Sequence, residues 1–598
     1  MIGYDVPSLI ESDPNSNITD LLVARAAQTP DLAIYAVEQP NGSWVDISAS
    51  RFLGEVRELA KGFIAAGIQP GQTVAIMSHT CYQWALVDFA LWFAGAVPVP
   101  IYETSSPAQM SWILTDSDAV GIVLEDAEMA VKLAEVKSQT AYLRNVWRLD
   151  DDSLSQLAKL GREVSDELLE TRRTTAKLKD LATIIYTSGT TGKPKGCELL
   201  HRGFIDLSKN AELDIPSVLN TKHSTLLFLP MAHVFARFIS VLCVHAGIKV
   251  GHQGDVKNLS AAMQSFRPHF LLAVPRVFEK VYNTAEQKAE AGGKGDIFRK
   301  AAATAIEYSK ALDTPSGPSV SLKLKHFVFD KLVYAKLRDA MGGRVKYAVS
   351  GGAPLGTRLG HFFRAIGLTV LEGYGMTETT APAMIARPEA IRIGKVGQLL
   401  PGCGIMIADD GEILLRGSNL LRGYWKNPAA TNDAIRDGWL HTGDIGSLDD
   451  QGFLSITGRK KELIITAGGK NVAPAPMEDP LRADPLIGQA VLVGDNKPYI
   501  AALIALDGEM LPIWLGSHGL DKALTVAQAA THPTVLKEVE KAIERVNKTV
   551  SNAEQIKKFV ILHSELTLET GHLTPSLKIK RDVVATDFAK EIDKLYRA

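Results

Sequence analysis

The chain has 598 residues, 46 % of them hydrophobic, enough to fill the cores of several domains. Its formal net charge of −2 supplies no global basic field that would recruit nucleic acid, which leaves only local basic patches open. The four cysteines, Cys81, Cys197, Cys243 and Cys403, are far apart and form no C-x-x-C pair, which argues against a zinc site and against a disulfide framework.

Met1–Asp13 has neither a basic start nor a long apolar core and does not read as a secretory signal. Thr73–Ser78, Ala96–Ile101, Ala119–Leu124 and Leu181–Tyr186 read as strands, with Cys81–Ala94 as an intervening helix. Trp84–Ile101 is the most membrane-like stretch, but Asp88, Pro98 and Pro100 interrupt it, and it reads as a helix followed by a strand. The expected location is cytoplasmic, with a peripheral membrane contact and a homodimer left open. Thr225–Leu229, Phe270–Val274, Val345–Ser350 and Leu368–Glu372 read as further strands. This alternation predicts layered α/β structure with largely parallel sheets. Ligands of such sheets bind outside the C-terminal strand ends.

About 279–325 the pattern is charged and helical, broken by Gly292-Gly293 and by Pro315-Ser316-Gly317-Pro318, and predicts a helical insertion. From Arg459 onward the style changes. Gln489–Val493, Tyr499–Leu506 and Phe559–Leu562 read as strands, Val535–Val550 as an amphipathic helix, and Leu506–Glu538 as a second insertion. The expected division is a large domain over 1–458 and a small α+β lid over 459–598.

Residues 186–196 read Tyr-Thr-Ser-Gly-Thr-Thr-Gly-Lys-Pro-Lys-Gly. Glycines let a backbone wrap a ligand and aim its N–H groups inward, and hydroxyls and lysines add donors and positive charge. Such a loop suits a polyphosphate. It is not a Walker A loop, because two residues rather than four separate Gly189 from Gly192, and Pro194 follows Lys193. A surface loop rich in small residues is the plain alternative. Five further segments follow in order: Ser350-Gly351-Gly352-Ala353-Pro354-Leu355, Glu372-Gly373-Tyr374-Gly375-Met376-Thr377-Glu378-Thr379, Thr442-Gly443-Asp444, Gly458-Arg459-Lys460-Lys461-Glu462, and Leu573–Arg581.

Together these resemble the adenylate-forming superfamily of acyl-CoA synthetases, luciferases and adenylation domains, over nearly the whole chain. The insertions and the C-terminal loop resemble its long-chain fatty acyl-CoA synthetase branch. The resemblance implies ATP-dependent activation of a fatty acid to acyl-AMP with release of pyrophosphate, then transfer to CoA. ATP and CoA would be co-substrates and Mg²⁺ the metal. Thr187, Ser188, Gly189, Thr190, Thr191, Gly192 and Lys193 would hold the phosphates. Gly351, Gly352, Ala353, Glu372, Gly373, Tyr374, Gly375, Met376, Thr377, Asp444 and Arg459 would hold the adenosine. Thr187 and Glu378 would be metal ligands, and Lys578 the cation bridging carboxylate and α-phosphate. His233, Val234 and Arg237 would lie at the acyl site. Lys461 would be the hinge about which the lid rotates between the two steps, with Gly468 and Gly469 beside a CoA channel.

The sequence departs from the pattern twice. Leu577 stands where many members have glycine, and Arg237 stands where some have a gating tryptophan. Cys197 is read as packing. Three other readings stay open: a fatty acyl-AMP ligase loading a carrier protein, an aryl or short-chain acid ligase, and a nucleotide-binding regulator without catalysis.

Overall fold

The apolar runs form strands and the amphipathic stretches between them form helices. The computed structural model describes residues 2–187, 193–468, 470–574 and 578–597. Of the expected site residues, Ser188, Gly189, Thr190, Thr191, Gly192 and Gly469 lie outside the described residues.

The largest sheet has nine strands. In spatial order they are Gln398–Leu399, Ala381–Ile385, Thr369–Met376, Tyr347–Ser350, Phe270–Ala273, Ser224–Leu227, Lys249–His252, Ala33–Glu38 and Trp44–Ser48. Its inner pairs are parallel and its outer pairs antiparallel. A second sheet, Val97–Ile101, Thr73–Met77, Gly121–Leu124 and Asn145–Arg148, is wholly parallel. The helix Tyr82–Phe93 is buried on nearly every side, which is why Trp84–Ile101 reads as apolar throughout. No helix among the described residues is long and apolar enough to cross a membrane.

Two elements differ from expectation. Leu181–Thr187 does not join a parallel sheet but pairs antiparallel with Lys195–Leu200, which also carries Gly423–Tyr424. The connection 188–194 is too short for the crossover that parallel neighbours need. The strand expected at Leu368–Glu372 continues to Met376, because Gly373–Met376 pairs with the returning Ala381–Ile385.

The helical insertion runs further than 279–325. It comprises Pro275–Ala291, Gly295–Leu312, Val320–Phe329, a π turn at Asp330–Tyr334 and Ala335–Ala340. Phe278, Tyr282, Phe298 and Tyr334 form its core with Phe362. The C-terminal region has a separate core around Leu481, Ile487, Ile504, Trp514 and Val539. Its strands Ile487–Val493, Ile500–Leu506 and Ile556–Ile561 form one mixed sheet. Arg276 with Asp507, and Lys280 with Glu509 at 2.6 Å, tie the insertion to this C-terminal region.

Candidate active site

Parallel strands end together, so Ser350 and Glu372 sit side by side and open Gly351–Leu355 and Gly373–Thr377 onto one edge of the large sheet. Gly352 has φ +85°, a conformation that only glycine adopts without strain. A Cβ on Gly351 would lie 3.4 Å from the Phe235 ring and 3.5 Å from the Gly373 carbonyl. Ala353 is exposed at the rim. Glu372 is buried, and its Oε2 accepts a hydrogen bond from the Leu355 N–H at 3.0 Å. Burial raises its pKa to about 7. Glu372 therefore holds the glycine turn in place. Gly375 is required by the strand pair, since a Cβ there would meet the Ala381 carbonyl oxygen at 2.2 Å. Met376 N–H donates to Thr379 Oγ1, and Thr377 is buried beside it.

Tyr374 Oη donates to Asp444 Oδ2 at 2.8 Å, and Arg459 Nε lies 2.9 Å from Asp444 Oδ1. The antiparallel register of Trp439–Leu448 with Leu454–Arg459 sets Asp444 directly opposite Arg459. Asp444 enters this pairing through a tight turn. Its N–H donates to Thr442 Oγ1, and Gly443, at φ +71°, donates its N–H to Glu412 Oε1. An aromatic ring, a carboxylate and a guanidinium thus meet on one wall.

At the other end, Thr187 faces Lys195 across the mouth of the hairpin. Lys193 Nζ lies over the Trp112 ring, 4.2 Å from its centroid, and Trp112 Nε1 donates to the Pro194 carbonyl at 2.9 Å. Thr187 Oγ1 is 3.9 Å from Cys197 Sγ. Glu378 lies against the same thiol, and its Oε1 accepts from Tyr424 Oη at 2.8 Å. Burial raises the Cys197 thiol well above its ordinary value, and the Glu378 carboxylate adds to this, so Cys197 stays a neutral packing group. Thr187 and Glu378 therefore converge around Cys197. Sequence reading missed Tyr424 and Trp112. Tyr424 reaches Cys197 only through strand register, and nothing local marks it.

Lys578 comes from the C-terminal region. Burial and then the Arg459 charge lower its pKa, while Asp444, Glu378 and Glu462 act in the opposite direction. The residue is nevertheless exposed to solvent, so it stands on an open wall of the site and not in a sealed core. The same lysine bears on His233. Burial first, and then the Lys578 charge, lower the His233 pKa to about 4. His233 caps the helix Val234–Ala246, its Nδ1 accepting from the Phe235 N–H at 3.2 Å. A neutral imidazole accepting at Nδ1 carries its proton on Nε2, so His233 is a donor. The neighbouring Arg581 is not a rival cation: its guanidinium is bonded to Glu478 and Glu462. Lys461 lies in the turn Lys460–Glu462 directly after Arg459, and Gly468 is exposed beyond it.

The acyl-site expectation needs correction at two residues. Val234 and Arg237 are fully buried in the core and offer no surface to a substrate. Arg237 bonds Asp88 through Nε–Oδ2 at 2.9 Å and Nη2–Oδ1 at 2.6 Å, and Nη1 donates to Thr183 Oγ1. The guanidinium also lies over the Trp84 and Trp92 rings, 5.5 and 5.1 Å from their centroids. Burial raises Asp88 to about 6, against the pull of Arg237. The reason is that the helix Val234–Ala246 is buried on nearly every side, so a residue within it faces the core, whereas His233 sits at its open end.

The AMP-binding enzyme family matches residues 22–425, and its C-terminal domain matches residues 461–598. The chain belongs to the AMP-binding enzyme family. This AMP-binding enzyme is 46 % identical over 599 residues to the long-chain-fatty-acid–CoA ligase FadD15 of Mycobacterium bovis, covering 100 % of both chains. Two solved structures share its fold. One is the anthranilate CoA ligase AuaEII with anthranoyl-AMP, at TM-score 0.71 and 16 % identity, covering 98 % of this chain and 99 % of that one. The other is O-succinylbenzoate CoA synthetase of Bacillus subtilis with ATP and magnesium, at TM-score 0.66 and 20 % identity, covering 94 % and 98 %.

Proposed function

We propose that this AMP-binding enzyme activates long-chain fatty acids with ATP and transfers the acyl group to CoA. The observation that carries the reading is the position of Lys578. A lysine of the C-terminal region stands within electrostatic reach of the His233 donor, the Glu378 carboxylate and the Tyr374–Asp444–Arg459 cluster. Full-length likeness to a long-chain ligase supports the choice of substrate.

In the first step a carboxylate oxygen bonds to the α-phosphorus. The bond from that phosphorus to the bridging oxygen breaks, and the electron pair leaves with pyrophosphate. Both reactants are anionic, so fixed cations and donors must meet the charge as it moves. Lys578 supplies one and the His233 Nε2–H another. Arg459 stays charged throughout. Tyr374 would cover the adenine, and Asp444 would accept from the ribose hydroxyls. Magnesium prefers oxygen ligands. The Thr187 hydroxyl and the Glu378 carboxylate fit it, and when bound it would neutralise polyphosphate charge. In the second step the CoA sulfur bonds to the acyl carbon, the bond to AMP breaks, and the thiol proton passes to solvent.

The test is pyrophosphate release with acetate, octanoate, palmitate and benzoate, each below its micelle-forming concentration, with and without CoA. Each buried methylene contributes about 0.8 kcal/mol, and chain ordering opposes it, so palmitate should exceed octanoate about tenfold or more in kcat/KM. Acetate or benzoate outrunning palmitate refutes the long-chain assignment. Pyrophosphate release without any acyl-CoA formed points instead to a carrier-loading ligase.

A further inference from the structure

The helical insertion ends in a helix whose outward side is apolar. Val320, Leu324, Phe327 and Leu332 are 84 %, 64 %, 56 % and 52 % exposed. Their spacing aligns them along one side of Val320–Phe329 and the π turn that continues it. The opposite side does the packing. Leu322 is buried, His326 Nε2 lies 2.8 Å from the Ala365 carbonyl, and Tyr334 Oη donates to the Ala301 carbonyl at 2.7 Å. A helix apolar on both sides calls for a second apolar neighbour.

The charges say which neighbour. Lys323 and Lys325 flank the stripe, and Lys336 follows it. Lys331 Nζ lies over Phe327, 4.8 Å from the ring centroid, on the apolar side itself. Asp330, the one acid between 320 and 336, is paired with Arg338 at 2.6 Å. Large exposed apolar side chains among lysines, one of them lying over Phe327, suit a surface that is hydrocarbon below and anionic above.

We propose that this face docks on an anionic lipid surface, with the helix in the headgroup plane and Val320, Leu324, Phe327 and Leu332 beneath it. A second copy of the chain fits less well. Two-fold pairing sets each patch against itself, so lysine meets lysine. Four such side chains also offer a few hundred Å² at most, below the roughly 800 Å² per partner of a stable dimer. The ligase reading enters only through the substrate, because long-chain acids partition into bilayers.

The experiment sediments the full-length protein with vesicles of phosphatidylcholine alone, or with one third phosphatidylglycerol. Affinity should be about tenfold or more higher for the anionic vesicles and should fall with added salt. The paired variant Leu324→Ser/Phe327→Ser should bind about tenfold more weakly, and Lys323→Gln/Lys325→Gln should lose the anionic preference. Both should keep wild-type pyrophosphate release with palmitate in vesicle-free buffer, which shows that they fold. Equal wild-type binding to the two vesicles, or unchanged binding of the serine variant, overturns the proposal. So does a solution dimer that the serine variant dissociates. Absence of pyrophosphate release by the wild type with every acid refutes the ligase reading and leaves the vesicle result to stand by itself.

Discussion

Lys578 carries its charge into a cleft where burial and Arg459 oppose it and Asp444 and Glu378 favour it. A cation held against that opposition is useful only if the reaction places negative charge beside it. Lys578→Ala should lower the adenylation half-reaction about a hundred- to thousandfold, the usual cost of one preorganised donor. Thioester formation from supplied acyl-adenylate should be spared, and equal loss in both half-reactions would refute the role. A second residue-scale prediction concerns acid. Burial lowers His233 to about 4 and both His201 and His252 to about 3. An unfolded histidine titrates near 6.5, so between 6.5 and these values the unfolded chain binds more protons than the folded one. Stability is therefore unaffected by these groups above pH 6.5 and falls as pH drops below it. Both His252 ring nitrogens lack partners among the described residues. His252→Leu should stabilise by about 1 kcal/mol or more at pH 7 and flatten the loss between pH 6.5 and 5. Urea midpoints at the two pH values check this, and an unchanged slope counts against it.

At the scale of elements, the helices Tyr82–Phe93 and Val234–Ala246 are locked together by Asp88 and Arg237. Removing one partner leaves a buried charge alone, so Asp88→Leu or Arg237→Met should each cost about 3–5 kcal/mol. The paired substitution should recover most of that, and a double mutant no better than its parents would show that the pair is not the lock. This ion pair was not legible in the sequence. Asp88 reads as an interruption in an apolar run, and Arg237 as a departure beside an acyl site, because the two are 149 positions apart. Glycines show the same limit. Gly352 and Gly375 stand in segments legible as nucleotide-binding, but one answers a positive φ and the other a carbonyl on the returning strand. Neither cause has a local signal.

For the whole molecule, the decisive relation is between the lid and the large domain. Lys578 lies within electrostatic reach of His233, and two ion pairs join the helical insertion to the C-terminal region. A pivot beside Arg459 must turn if this lysine is to leave before thioester formation. Lys461→Pro should stiffen the turn Lys460–Glu462, because proline fixes φ. A pyrophosphate burst near wild type with acyl-CoA formation reduced about tenfold or more is the expected result, a size that follows from about 1.4 kcal/mol on the rate of turning. Wild-type acyl-CoA yield places the pivot elsewhere.

The sequence by itself determined the α/β class and several strands of the large domain, because each rests on a contiguous apolar run, and it marked Thr187, Glu378, Asp444, Arg459 and Lys578 through motifs that resemble a known family. Tertiary structure alone decided which of those residues meet. Strand register set Asp444 against Arg459 and Tyr424 against Cys197. Helix packing withdrew Arg237 into the core. Lid placement brought Lys578 to His233 across 345 positions of chain. Contacts of that separation depend on the burial and pairing of every element between them, and no window of sequence contains that information.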